Sequence, residues 1–213
     1  AAAEDEEEFE VTAHIKTALD ALTAEPVATE RTQEAIPPYW MERHASAFED
    51  ELGKLAAERE PYTAIIDAQG VAHSSKDVLG RSNALVHGFR ARGLQKGDVI
   101  AMAVANEPSA LELFMAVAQA GWFLVPINWH LTAPEIAYIL EDSGAKAIVC
   151  SDRFTDVVAR ACDEAHLPAD ARFCTAPAAG FRDFSEIVDA QPTSTPPDRL
   201  CGSVMNYTSG TTG

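Results

Sequence analysis

The chain has 213 residues, 47% of them hydrophobic and 23% charged, a balance that fits a soluble globular protein with one sizeable core or two small ones and excludes a chain disordered throughout. Its formal net charge of -17 is unevenly spread, since residues 1–60 hold 16 of the 33 acids and only 5 of the 16 bases. No cluster of Lys or Arg offers a footprint for a nucleic-acid backbone or an anionic membrane surface, and no run approaches the roughly 18 apolar residues of a membrane span.

In chain order, residues 1–36 open with Glu4, Asp5, Glu6, Glu7, Glu8 and Glu10 and carry only a short apolar pattern at Ile15, Leu19 and Leu22. They read as a flexible acidic extension, opposite in charge to a secretory signal. Pro37 and Pro38 mark a break, and Trp40, His44, Phe48, Leu52 and Leu55 predict a helix with one apolar stripe within Tyr39–Glu60. The organised body begins at Pro61: residues 62–67 predict a strand, 68–70 a tight turn and 71–74 the returning strand. Ser74 with Asp77 resembles a capping box, and Val78, Leu79, Leu85, Val86 and Phe89 fall at helical spacing up to Gly93.

Strand and helix then alternate. Residues 99–104 (VIAMAV) predict a buried strand, and Pro108 suits the first turn of a helix whose expected inner face is Leu111, Phe114, Met115 and Ala118. Residues 122–127 (WFLVPI) predict the next strand. Thr132 and Glu135 form a second capping box, with Ile136, Ile139 and Leu140 inward and Gly144 as the stop. Residues 145–150 (AKAIVC) predict a further strand, followed by a helix carrying Phe154, Val157, Val158, Ala161 and Ala165 on one face. From Leu167 to Pro197 the composition suggests a surface connection with one short helix near Phe184–Val188, and residues 202–207 (GSVMNY) predict a final strand. Short apolar strands alternating with amphipathic helices specify an α/β fold, a largely parallel sheet flanked by helices. Cys150, Cys162, Cys174 and Cys201 include no CxxC pair and no histidine at zinc-finger spacing. They read as buried free thiols in a reducing cytoplasm, and no metal site is predicted.

The last predicted strand runs into Thr208, Ser209, Gly210, Thr211, Thr212 and Gly213. The glycines allow successive N–H groups to converge on one anion with no Cβ in the way, and the hydroxyls add neutral donors, so these six residues are the candidate phosphate-binding site. The P-loop pattern GxxxxGK[ST] is absent. By composition alone such a run is more often a linker or tight turn. His130 follows a strand end, where ligands bind in parallel sheets, and competes with the plainer reading of a surface-loop histidine. Trp122, Phe123 and Trp129 could line an acyl pocket or simply fill core. Asp163 and Glu164 read as an exposed acidic pair with no shared cleft.

The string YTSGTTG (207–213) resembles the phosphate-loop signature of the adenylate-forming, AMP-binding superfamily of acyl-CoA synthetases, aryl-CoA ligases, luciferases and adenylation domains. Ala120–Asn128, Leu131–Thr132 and Ile139–Lys146 are similar to a second family region, and Ser82–Asn83 through Arg92–Gly93–Leu94 and Lys96–Val99 to a third, in the family's order across residues 61–213. The resemblance implies that residues 37–213 are part of the N-terminal AMP-binding domain of an acyl-CoA synthetase-like enzyme. It implies attack of a carboxylate, a fatty acid in preference to an aryl acid, on the α-phosphate of ATP, then transfer to coenzyme A. Residues 208–213 would close over the β- and γ-phosphates. Magnesium would be held mainly by residues of the missing C-terminal portion, where the family's lysine, Thr-Glu segment and catalytic lysine also fall. No residue here is carried over as catalytic, so the isolated chain is expected to be inactive. The alternatives are an aryl-CoA ligase, a carrier-protein-loading adenylation domain, or a non-catalytic truncated remnant.

Overall fold

The structure, a computed structural model, describes residues 61–207. The expected acidic extension, the helix within Tyr39–Glu60 and the candidate loop 208–213 lie outside the described residues. Asp67 sets the first element by accepting the backbone N–H groups of Gln69 and Val71 through Oδ1, each at 2.9 Å. This closes an antiparallel hairpin of β1 (Thr63–Ile66) and β2 (Ala72–Ser74). Ser74 then caps α1 (Ser75–Ala91): its Oγ accepts from the Asp77 N–H at 3.1 Å and donates to Asp77 Oδ2 at 2.6 Å. The Ser74 cap is thus present, but Asp77 returns its bond to the Ser74 hydroxyl and not to the backbone N–H, so the expected capping box is only half formed.

The remaining elements are β3 (Val99–Ala103), α2 (Pro108–Ala120), β4 (Phe123–Pro126), α3 (Ala133–Ser143), β5 (Ala147–Cys150), α4 (Thr155–Glu164), β6 (Arg172–Cys174), β7 (Arg182–Asp183), the one-turn α5 (Ser185–Val188) and β8 (Ser203–Val204). Pro108 occupies the first turn of α2, where its missing N–H costs nothing. Glu135 Oε2 accepts from both the N–H and the hydroxyl of Thr132, each at 2.7 Å, to start α3, and Gly144, at φ 66°, stops it. Six strands form one sheet in the order β7-β6-β5-β3-β4-β8, every neighbouring pair parallel. The α/β class and the parallel sheet read from the sequence are present.

Alternation along the strands divides the core into two layers. On one face Ile100, Leu124, Ala147, Val149 and Phe173 pack against Leu85, Val86 and Phe89 of α1, Leu113, Ala116 and Val117 of α2, and Ile187 of α5. On the other, Ala101, Val125, Ile148 and Cys150 meet Ile136, Ile139 and Leu140 of α3 and Val158, Ala161 and Cys162 of α4. Phe89 makes edge-to-face contacts with Trp122 and Phe173, both at 5.9 Å, each worth about 0.5–1.5 kcal/mol beyond the area buried.

Three expectations are corrected. The inner face of α2 is Leu113, Ala116, Val117 and Ala120, whereas Leu111 and Phe114 are 40% and 46% exposed. The helix is rotated because α1 packs beside it: Arg81 Nε donates to Glu112 Oε1 at 2.7 Å and Gln119 Nε2 donates to Asn83 Oδ1 at 3.1 Å, which draws two polar side chains into the helix–helix seam. Residues 167–197 are not merely a surface connection, since β6 and β7 extend the sheet there and bury Phe173 and Cys174. Cys150, Cys162 and Cys174 are buried free thiols as expected, but Cys201 is half-buried.

Candidate active site

Because every pairing in the sheet is parallel, the connections after β3, β4, β5, β6 and β8 all leave from one edge, the place where open α/β sheets bind ligands. The strand order reverses at β3, and there the connection to α2 and the one to α4 depart to opposite faces. Buried Ser151 occupies this switch point. Its N–H donates to the Ala103 carbonyl at 3.1 Å, and its Oγ accepts from the Ala105 N–H at 2.8 Å and donates to Glu107 Oε1 at 2.5 Å. The crevice between β3 and β5 is thereby filled by the protein's own hydrogen bonds. On the other side of β3 the same edge continues at β4 and β8.

The chain reaches β8 along a strap laid over α1. Asn83 Nδ2 donates to the Thr193 carbonyl at 2.9 Å, His87 Nε2 lies 3.1 Å from the Ser194 carbonyl, and Arg90 Nη1 donates to Asp198 Oδ1 at 2.7 Å, three anchors on one helix face. Gly202 then crosses α2 so closely that an added Cβ would lie 2.0 Å from the Val117 carbonyl oxygen and 2.6 Å from that of Trp122. Only glycine fits this approach. Ser203 and Met205 donate backbone hydrogen bonds to Trp122 and Leu124, at 3.0 and 2.8 Å, and the chain runs towards that edge. Met205 and Tyr207 pack on the α3 side. The Tyr207 hydroxyl donates to Asp142 Oδ2 at 2.7 Å, and burial, then this hydrogen bond, pushes its phenol up to about 12.

Of the candidate site residues, Thr208, Ser209, Gly210, Thr211, Thr212 and Gly213 lie outside the described residues, so the structure carries the path only to Tyr207. His130 is exposed, with its N–H donating to Asn128 Oδ1 at 3.0 Å and its ring 3.4 Å from that of Trp129. That is the surface-loop reading. Trp122, Phe123 and Trp129 do not converge: Trp122 is buried on the α1–α2 face, Phe123 packs on the opposite face, and Trp129 is 59% exposed beside Phe154. Asp163 and Glu164 are both exposed, and Asp163 pairs with Arg172 at 2.7 Å. Among the described residues no group of three or more His, Cys, Asp or Glu side chains could hold a metal ion. Nor is any helix among them long and apolar enough to cross a membrane. The pairing of Tyr207 with Asp142 had no signal of its own in the sequence, although both residues lie in the family-like segments.

Comparison with known proteins agrees with this architecture. A fatty acid–[acyl-carrier-protein] ligase of Streptomyces coeruleorubidus is 33% identical over 160 residues, covering 74% of this chain and 30% of that protein. A feruloyl-CoA synthase of an Amycolatopsis species is 31% identical over 159 residues, again 74% of this chain and 30% of the relative. The chain therefore spans about 30% of the length of the curated relatives it matches first. Among solved structures, an anthranilate CoA ligase in complex with anthranoyl-AMP superposes with a TM-score of 0.68 at 21% identity over 84% of this chain and 34% of that one, a likeness of fold. A putative long-chain-fatty-acid CoA ligase from Rhodopseudomonas palustris gives 0.60 at 26% identity, covering 78% of this chain and 40% of its own. The model of the AMP-binding enzyme family matches residues 53–213, three quarters of the sequence and every element of the sheet, and the chain belongs to that family.

Proposed function

We propose that the chain supplies the phosphate-holding portion of an ATP-dependent acid–thiol ligase. In the first half-reaction a carboxylate oxygen attacks the α-phosphorus of ATP, forming an acyl-adenylate and releasing pyrophosphate. In the second a thiol attacks the acyl carbon and AMP leaves, giving a thioester. The observation that carries this reading is the route of β8, which pairs parallel with β4 and points Tyr207 towards the carboxyl edge of the sheet, immediately before Thr208–Gly213. A hydroxyl- and glycine-rich sequence following that strand suits the β- and γ-phosphates, where its N–H and O–H groups would position the triphosphate and offset its charge without moving a proton. Magnesium, when bound, would add cationic stabilisation to the same phosphates, and no described residue is assigned to it.

A hydrophobic carboxylate, a fatty acid first, is the proposed substrate, in keeping with the relatives named as fatty acid ligases. Coenzyme A is the proposed acceptor. A carrier-protein thiol is the second reading, favoured by the acyl-carrier-protein ligase at 33% identity. Residues 37–213 form the AMP-binding portion and residues 1–36 an acidic extension, and the cytoplasm is the proposed compartment.

Equilibrium binding to the 213-residue chain tests the loop. ATP is expected to bind and adenosine not to, and Gly210→Val is expected to weaken ATP binding by about tenfold or more, because a β-branched side chain blocks both the loop's turn and the approach of phosphate. Equal binding of ATP and adenosine, or an unaffected Gly210→Val, overturns the assignment. Carboxylate-dependent ATP–pyrophosphate exchange is expected to be absent from this chain alone, and detecting it would contradict that part.

A further inference from the structure

Backbone N–H groups of β4 alternate between its two neighbours. Those of Phe123 and Ile127 donate to Asp98 and Met102 on the β3 side, at 2.9 and 2.8 Å, so the even-numbered residues face β8. Leu124 and Pro126 are the two such positions in β4. Met205 donates to the Leu124 carbonyl at 2.8 Å, the last main-chain bond between the two strands. The next rung would need an N–H from residue 126 to reach the Met205 carbonyl, and proline has none. The ladder loses that rung, and paired strand ends at Val204.

Beyond that point the described chain is tied to the body by the packing of Met205 and Tyr207 and by hydrogen bonding of the Tyr207 side chain to the last turn of α3, where its hydroxyl donates to Asp142 Oδ2 at 2.7 Å across 65 residues of sequence. Alternation carries Met205 and Tyr207 to the same face, where both pack against the α3–α4 layer. We propose that Tyr207 and Asp142 are positioning residues that replace the rung deleted by Pro126: they fix the point at which the backbone leaves the sheet and so aim Thr208–Gly213 at its ligand. This rests on the phosphate-loop reading above. Pro126 frees the main chain from a sheet geometry in which alternate N–H groups point to opposite sides. The phenol then holds the chain immediately before Thr208 by a side chain.

The test compares Tyr207→Phe, Asp142→Ala, Asp142→Asn and the Tyr207→Phe/Asp142→Ala double variant in the 213-residue chain. Two quantities are read: affinity for ATP, and amide hydrogen exchange at Met205, Asn206 and Tyr207. Tyr207→Phe and Asp142→Ala are each expected to weaken ATP binding by about three- to tenfold and to speed exchange at these amides, with the double variant no worse than either single one. Asp142→Asn keeps an acceptor oxygen and is expected to retain most of the affinity. A purely structural role would instead lower the thermal midpoint and leave affinity unchanged in the folded fraction. Unchanged affinity with unchanged exchange overturns the proposal, as do additive effects of the two substitutions. If wild-type chain binds no ATP, the phosphate-loop reading fails, and exchange at Met205–Tyr207 alone decides whether the anchor exists.

Discussion

Cys150 and Cys174 sit opposite each other in register on β5 and β6, and Cys162 packs on the same side of the sheet from α4. Burial pushes the Cys150 and Cys174 thiols up, and the Cys162 thiol up to about 11. The raised values favour the neutral thiol, which neither alkylates readily nor binds metal. Cys201 is raised by burial as well but is half-buried. Iodoacetamide applied to the folded chain near neutral pH should therefore modify Cys201 first and reach the other three only after unfolding, as read by peptide mass spectrometry. Modification of Cys150 or Cys174 in the folded chain would contradict this packing. The absence of paired-cysteine spacing was enough to read these residues as core thiols, whereas the exposure of Cys201 depends on the strap that leads to Gly202, which no local pattern announces.

Among the elements, those with capping chemistry were the most legible. Ser74–Asp77 and Thr132–Glu135 start helices at the residues expected of them, because both the donor groups and their acceptors lie within one turn. Glu135 makes this titratable. Hydrogen bonds from the Thr132 hydroxyl, and next from its backbone N–H, hold the Glu135 carboxyl below the usual carboxylate range. A carboxyl depressed on folding stabilises the native state above its unfolded value, and that contribution fades as the pH falls through the lower folded value. Urea unfolding of wild type and Glu135→Gln should accordingly show a stability difference that shrinks on acidification through this window. A difference independent of pH would rule out the charged cap. By contrast, α2 is apolar on most of its circumference, so periodicity could not choose its face, and the choice was made by Arg81 and Asn83 some thirty residues away. Strands β6 and β7 were missed for another reason: three and two residues long, they are held by neighbours in the sheet and not by a pattern of their own.

At the scale of the whole molecule, the fold class followed from the alternation of strands and helices, but the placement of β8 beside β4 did not, since it depends on a close glycine crossing and a proline gap. The same placement leaves an open groove along the edge, lined by Phe114, Val117, Ala118, Gly202, Ser203 and Val204. Leu111 and Phe114, 40% and 46% exposed, add apolar surface from α2. An apolar groove next to an edge strand favours association between copies. Phe114→Glu should lower the self-association of the chain in sedimentation velocity while leaving its thermal midpoint nearly unchanged, and equal association of both proteins would show that this surface is inert.

The pairing of β4 with β8 also has a consequence for the order of events during synthesis. Strand β4 and its partner β3 emerge early, and the chain then builds the opposite half of the sheet, β5 to β7, before Ser203 and Val204 exist. Throughout that interval the Leu124 N–H and carbonyl face no strand. A nascent chain must shield this apolar border by some other means, and the segment that finally covers it is the one that leads into the candidate phosphate loop. Pairing β8 with β4 and bringing the chain to Tyr207 are thus one event, later than the synthesis of β5 to β7.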